Sequence, residues 1–559
     1  MKKGSESDMI TADYVKRSAY GQDGGEPKMN RIPLTVGVTG HIDLREHDRD
    51  ALYNAVKREL EQLQVRYPHT PVWMINSLAA GADLLCAEAG EALGIPMIAA
   101  LPMPEEEYRK DFAAADLVRL EHQLQRAETV IVTSASEKEP AEITREFLYR
   151  QAGIYMAEHS HLVLALWDGA EQREKQAGTA ATVRFALEGD WNPERGLPVS
   201  NGDNTGVIHI LTPRGEAGPD RAGTVRRLGC MDALEADLDK TEEFNRLAMK
   251  TDLPGGTELL PPEEAQSPEM RKMAALYQTA DGLSMRYARL NRRILAGLAL
   301  SGTALTMAFL MYDDAELKPL ILLCGVALCA ALMLFRMAGR TACHRRFVEY
   351  RALAEALRVQ LFLRYAGSGL QVQRLMTWTQ KQETTWVMCA LCAINTMPPP
   401  ERKQNILECW VKGQQEYYRS ANKRAEKRLK KQNRTLMTGM IISISAYVIL
   451  LVYELVYGGL LLKPVFYLKD PEIMRTLMKI VLGTVSAGTL FMAGYYGKMS
   501  LSRVIGDFQK MEAFYEKAAD RIIRRGESEQ ILETLAREEL TENGNWSSYQ
   551  WDNAPEINV

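Results

Sequence analysis

Four short stretches carry residue types suited to holding a phosphate. GVTGH supplies Gly37, Thr39, Gly40 and His41, and AAGAD supplies Gly81, Ala82 and Asp83. WDG supplies Asp168 and Gly169, and AGTAATV supplies Gly178 and Thr179. Glycine lets backbone come close to a bulky anion, and the free amides at a helix start attract negative charge. Thr39 and Thr179 add hydroxyl donors. Asp83 suits two further roles, capping its own helix or pairing with an arginine. His41 also suits an ordinary loop without a ligand. The spacing forms neither GxGxxG nor GxxxxGK[ST], so a dinucleotide fingerprint and a Walker loop are both excluded. No catalytic residue and no metal site is assigned. The single CxxC, Cys389 and Cys392, lies in the apolar run WVMCALCAIN with no second CxxC to complete a zinc set, and it reads as packing.

The elements around these stretches define their setting. IPLTVGVTG, VWMINSL, PMIAALP, ETVIVT, HLVLALWDG and GVIHILTP are short apolar runs separated by helical spacing, as at Leu52, Val56, Leu60 and Leu63. Apolar strands that alternate with helices predict a doubly wound α/β parallel sheet, covered on both faces. Ligands of such sheets bind at the carboxyl ends of the strands. All four stretches fall there, so a nucleotide-like small molecule is the expected ligand, and no cofactor is assigned.

The rest of the chain has another character. Residues 294–312 and 319–335 contain no charge; 436–457 contains only Glu454, and 476–496 only Lys479. About 20 apolar residues cross a hydrocarbon core of roughly 30 Å. An all-α membrane domain of four spans in two hairpins is therefore expected, with Glu454 and Lys479 reaching the interface. Basic flanks such as RYARLNRR, RMAGRTACHRR, KRAEKRLKKQNR and GKMSLSR place both termini and the soluble parts in the cytoplasm. LNRRILAG (290–297) aligns with QNRTLMTG (432–439), which suggests one unit used twice. The expected organisation is a mobile tail over 1–30, a ligand-binding domain over 31–214, a linker with a bracing helix over 215–271, and membrane modules over 272–396 and 397–559. The first thirty residues hold no apolar core segment of a secretory signal. With 68 basic and 72 acidic side chains among 559 residues, no direct nucleic-acid binding is expected.

In this order, GVTGH, AAGAD, WDG and GTAATV resemble the SLOG superfamily of Rossmann-like nucleotide sensors, which includes DprA and the LOG enzymes. The membrane half resembles SLATT modules, through LNRRILAG before a hairpin, YRALAEALR after it, and the terminal ENGNWSSYQWDNAPEI. The resemblance implies an inner-membrane effector of a bacterial antiviral defence system. Its sensor would bind a nucleotide-derived messenger, and its hairpins, as a homo-oligomer in the lipid bilayer, would form pores; the alternatives are a membrane-tethered nucleoside-phosphate hydrolase of the LOG kind and a non-conducting oligomeric scaffold. LOG enzymes carry a glutamate in PGGxGTxxE; here Thr182 stands at that place in KQAGTAATV. A hydroxyl cannot replace a carboxylate as base, which points away from hydrolysis and leaves Asp83 or Asp168 as the carboxylates for any slow turnover.

Overall fold

The computed structural model describes residues 31–133, 143–171, 177–189, 205–214, 221–250, 259, 268–315, 317–396, 406–456 and 471–552. The chain forms two units. One comprises Met1–Asp252, Pro262–Thr279 and Gly369–Glu401; the other comprises Leu253–Pro261, Ala280–Ser368 and Arg402–Val559. The expected tail over 1–30 lies outside the described residues.

The first unit is built on β1 (Leu34–Gly40), α1 (Arg49–Arg66), β2 (Val72–Asn76), α2 (Ala82–Ala92), β3 (Met97–Leu101), α3 (Glu105–Tyr108), α4 (Ala114–Arg126), β4 (Thr129–Val132), α5 (Arg145–Glu158), β5 (Leu162–Trp167), α6 (Thr179–Glu188) and β6 (Gly206–Leu211). Strands β1 to β6 pair in parallel in the order β4-β3-β2-β1-β5-β6. The doubly wound α/β class expected from the apolar runs is the class observed. Every residue of β5 is buried. Leu162, Leu164 and Leu166 enter one core cluster, and Val163, Ala165 and Trp167 enter the cluster on the opposite face. A strand buried on both faces has no polar side, which is why its sequence reads as an unbroken apolar run.

Two additions to this sheet lie outside the 31–214 span. Strand β7 (Val225–Gly229) joins β6 antiparallel at the sheet edge. Its sequence VRRLG keeps Arg226 and Arg227 exposed, and Arg227 pairs with Glu59 at 2.7 Å. Cations on an edge strand discourage further strand addition. Helix α7 (Met231–Lys250) follows and buries Leu234, Leu238 and Phe244. Residues 221–250 thus complete the sheet unit, where a linker with one helix is expected. The Gly/Pro-rich patches on either side fall mostly outside the described residues.

Helix α8 (Pro268–Asp313) begins in the first unit and continues into the second. It is followed by α9 (Leu320–Thr341) and α10 (Cys343–Tyr365). The chain then returns to the first unit for α11 (Val372–Leu375), α12 (Trp378–Glu383) and α13 (Thr385–Ile394). There Trp386 is fully buried with its ring 6.3 Å from that of Phe244. Thr385 donates to Asp237 at 2.9 Å, Arg374 pairs with Glu158 at 2.8 Å, and the His159 Nδ1–H donates to the Cys392 carbonyl at 2.8 Å. Cys389 and Cys392 are buried in α13 and unoxidised.

The second unit holds the remaining helical material: one π turn (Leu407–Lys412), α14 (Gly413–Val456), α15 (Pro471–Met499), α16 (Leu501–Arg525) and α17 (Glu529–Asp552). Among the described residues, four helices are long and apolar enough to cross a bilayer, with best-window mean hydropathies of 1.9, 2.4, 2.2 and 1.5. Their apolar surfaces are largely uncovered; Leu300, Leu322, Val326 and Leu490 are all exposed. Such a surface suits lipid rather than water. The helices cross at glycines. A side-chain carbon on Gly302 would come within 2.8 Å of Phe491, one on Gly483 within 2.5 Å of Leu310, one on Gly439 within 2.2 Å of Thr489, and one on Gly297 within 2.8 Å of Leu334. Small residues at these points allow close helix approach, and van der Waals packing then holds the spans together. Glu454 is bidentate with Arg475, and Lys479 pairs with Asp314 at 3.1 Å. These two charges, expected to reach the interface singly, are each neutralised by a partner.

After α9 and after α15 the chain breaks at a left-handed residue, Ala342 (φ 43°) and Ser500 (φ 43°), neither of them glycine. Such conformations cost a non-glycine residue of order 1 kcal/mol. Helix α17 packs beside both breaks. His344 Nε2–H donates to the Gln550 carbonyl at 2.9 Å, Phe347 meets Trp546 edge-on, and the Ser500 and Tyr549 hydroxyls bond. The same strained break after each hairpin supports the repeat read from 290–297 and 432–439.

Candidate functional site

The strand order reverses between β2 and β5 on either side of β1. That switch point is where an open α/β sheet leaves a crevice beyond its carboxyl ends. His41 follows β1, and Asp168 follows β5. The Asp168 amide donates to His41 Nε2 at 3.1 Å, and the Asp168 carboxylate lies 3.4 Å from the same nitrogen. Burial is the main influence on His41 and holds its pKa below the ordinary 6.5, with Asp168 opposing and Arg214 reinforcing. A neutral imidazole with its proton on Nδ1 accepts the Asp168 amide, in agreement with the geometry.

The four stretches part into two kinds of surroundings. GVTGH and AAGAD are packed against each other. A side-chain carbon on Gly40 would sit 2.3 Å from Ala82 Cβ, and one on Gly81 would sit 2.1 Å from the Ile42 carbonyl. The Ala82 amide donates to the His41 carbonyl at 3.0 Å. Here glycine serves close backbone packing. Gly37 lies in mid-strand, where a side-chain carbon would strike Met156, and so makes room for α5 rather than for a ligand. Thr39 is buried in β1 in register with Ala165.

WDG and AGTAATV are less closely packed among the described residues. There a side-chain carbon on Gly169 (φ 83°) would have only His209 nearby, at 3.6 Å, and one on Gly178 (φ 97°) would have nothing within 4 Å. Gly178 is the N-cap of α6 and, having no side chain, offers the first-turn amides beginning at Thr179 no capping acceptor of its own. An anion would find these donors in place. The Thr182 hydroxyl donates back to the Gly178 carbonyl at 3.2 Å, so it is engaged in its own helix.

Asp83 takes neither of its two alternatives: Gly81, not Asp83, is the N-cap of α2, and the carboxylate turns to an amide that precedes the helix. Its carboxylate accepts the Ala79 amide at 3.4 Å, and the nearby Gly40 amide also favours its charged form. Asp83 therefore competes for an amide that a phosphate at GVTGH would need. Burial pushes its pKa from 3.8 up to about 8, against the pull of those amides. A raised carboxyl pKa means the folded chain binds more protons than the unfolded one between about pH 4 and 8, so its contribution to stability falls as pH rises through that window. Asp83→Asn is expected to remove this fall, worth up to roughly 1.4 kcal/mol per pH unit, and to raise the unfolding temperature at pH 8 more than at pH 5. His161 works in the opposite sense: burial holds it at about 4, so stability is lost as pH falls below 6.5. Thermal unfolding of both proteins at pH 5 to 8 reads the Asp83 part by difference. Parallel curves would show that Asp83 is ionised in the fold.

Two residues at this edge were not singled out by the sequence reading. His209, on β6, donates from Nε2 to the Trp167 carbonyl at 2.9 Å, and its ring lies 5.3 Å from the Trp167 indole. The Trp167 indole N–H is buried and, among the described residues, has no partner. A histidine inside the apolar GVIHIL was the available signal. Arg214 forms a forked pair with Asp43 at 2.9–3.1 Å beside His41. Among the described residues, no three His, Cys, Asp or Glu side chains gather to hold a metal.

Sheet, switch point and helices define an α/β protein joined in one chain to a helical unit compatible with a membrane. No protein-family model matches the chain, and none of the curated proteins does.

Proposed function

We propose that this is a ligand-gated membrane effector of the SLOG–SLATT kind, acting in bacterial defence at the inner membrane. The sheet unit binds a nucleotide-derived molecule at His41, Asp168, Gly169, Gly178 and Thr179. The helical unit, as a homo-oligomer with its basic ends in the cytoplasm, permeabilises the bilayer. One observation carries the reading: α8 is a single 46-residue helix that starts in the sheet unit and ends as a membrane-length span. A helix without a break transmits displacement along its axis better than a flexible linker does. A ligand shifts such an assembly only by its differential affinity for the open state, and a tenfold shift needs about 1.4 kcal/mol.

The test uses full-length protein in dye-loaded liposomes, exposed to nucleoside mono- and diphosphates and to cyclic dinucleotides. At least one is expected to raise leakage tenfold or more in the wild type, and not in His41→Ala or Thr179→Ala. Equal leakage in all conditions rejects the reading. Release of free base from the nucleotide would replace it with hydrolysis.

A further inference from the structure

Within the helical unit, cations gather at one end of the four long helices. Arg293 precedes the span of α8, Arg336 and Arg340 follow the span of α9, and Lys430, Lys431 and Arg434 precede that of α14; all six are exposed. Among the described residues, none of them forms a salt bridge. The glycine crossings link these helices in series, since Gly297 of α8 meets Leu334 of α9, Gly302 of α8 meets Phe491 of α15, and Gly439 of α14 meets Thr489 of α15. At the opposite end, Arg475 and Lys479 are neutralised by Glu454 and Asp314. The buried stripe of α14, Gln414, Tyr418, Ala421 and Ala425, leaves the cations on its outward faces.

Immediately beyond Arg434 the surface becomes apolar, with Met437, Met440 and Ile441 exposed. An anion alone would satisfy the charge and leave this apolar surface in water. An amphiphile satisfies both. We propose that this end of the helical unit is a docking collar for anionic phospholipids, whose phosphates are held by Lys430, Lys431, Arg434, Arg293, Arg336 and Arg340.

Geometry separates the collar from the cations beyond it. At 1.5 Å per residue, Arg434 stands about 3 Å, and Lys430 about 9 Å, from Leu436 along the helix. The headgroup layer is roughly 5–8 Å deep on each side, and long cationic side chains reach back into it. Lys423 and Arg424 stand about 18–20 Å away, more than two screening lengths of about 8 Å. They lie outside the collar.

The experiment titrates phosphatidylglycerol into full-length protein held in phosphatidylcholine micelles and counts retained lipid by native mass spectrometry. The triple variant Lys430→Gln, Lys431→Gln, Arg434→Gln is expected to bind at least tenfold more weakly, since each juxtamembrane cation contributes about 1 kcal/mol. The pair Lys423→Gln, Arg424→Gln is expected to change affinity less than twofold. Wild-type protein gives a readout that needs no variant: raising salt from 0.1 to 0.5 M strips phosphatidylglycerol and spares phosphatidylcholine. Equal loss in both variants, or salt-insensitive retention, overturns the collar. So does displacement of the lipid by glycerol phosphate at equal concentration, which would mark a free-phosphate site. Displacement by a short oligonucleotide that depends on the same three residues would mark a nucleic-acid surface instead.

Discussion

Arg358→Ala is expected to lower the stability of the helical unit by about 3–5 kcal/mol at pH 7.5, the cost of stranding buried carboxylates. Arg358, on α10, is nearly inaccessible. It pairs with Glu355 at 2.6 Å and with Glu539 of α17 at 3.1 Å. Glu539 also accepts the Trp410 indole N–H at 2.7 Å. Burial raises the pKa of Glu539 above its ordinary value, and Arg358 and the Trp410 bond are what oppose it. Nearby Glu542 is pushed up to about 7, first by burial and then by Glu355. Without Arg358 these acids would face one another in a site with little solvent. Their folded pKa values would rise further, so the variant would bind more protons folded than unfolded and lose stability as pH rises from about 4.5. The deficit is therefore expected to shrink at pH 5.5. Thermal unfolding of the full chain in detergent reads both effects. The double variant Arg358→Met, Glu539→Gln should recover at least half of the loss, because it removes the stranded charge and keeps an acceptor for Trp410. A single variant within about 0.5 kcal/mol of wild type, the range of ordinary surface substitutions, would show that the pair is solvated.

This cluster illustrates what local sequence can and cannot reveal. The six parallel strands were legible because burial on both faces leaves only apolar residues, as in LVLALW. The four long apolar helices were legible because lipid-length hydrophobic runs have few other uses. Arg358 and Glu539 are 181 positions apart, and YRALAEALRVQ gives no sign that its charges point inward. Strand β7 was missed for a related reason. An edge strand is paired on one side only, so VRRLG carries its arginines outward and does not look like a strand.

The candidate site was legible as a location, not as a set of contacts. GVTGH, AAGAD, WDG and AGTAATV were correctly ordered around the strand ends, because a glycine at such a turn is a local requirement. The same letter serves two purposes that spacing cannot separate. Gly40 and Gly81 pack against Ala82 and Ile42, and Gly81, like Gly169 and Gly178, has a positive φ; among the described residues, only the latter two lack a close neighbour. Asp83 turns inward, where the amides of Ala79 and Gly40 favour its charged form. That choice depends on two loops 40 residues apart meeting. For the proposed function, this moves weight from Gly37, Gly40, Gly81 and Asp83 to His41, Asp168 and the start of α6.

Trp386→Ala is expected to cost the sheet unit about 3–5 kcal/mol, as truncation of a buried tryptophan commonly does, and to free α13 from α7. Trp386 has no exposed surface and lies against Phe244. The helix that carries it belongs to Gly369–Glu401, which sits in sequence between the two long-helix hairpins yet folds as part of the sheet unit. Besides the crossings that flank Leu253–Pro261, the chain passes between the sheet unit and the helical one along α8, before Gly369 and after Glu401. Helix α5 packs on α6, whose first turn borders the candidate site, and its Glu158 holds Arg374, so under the proposed function α5 connects the crevice to 369–396. Hydrogen exchange over 369–396 should rise at least tenfold in the variant while the strands stay protected. Nucleotide affinity should hold within twofold, and ligand-dependent leakage should disappear. Trp386→Phe, which keeps an aromatic ring beside Phe244, should retain most of both. Leakage that survives in Trp386→Ala with α13 released would show that coupling does not run through α13.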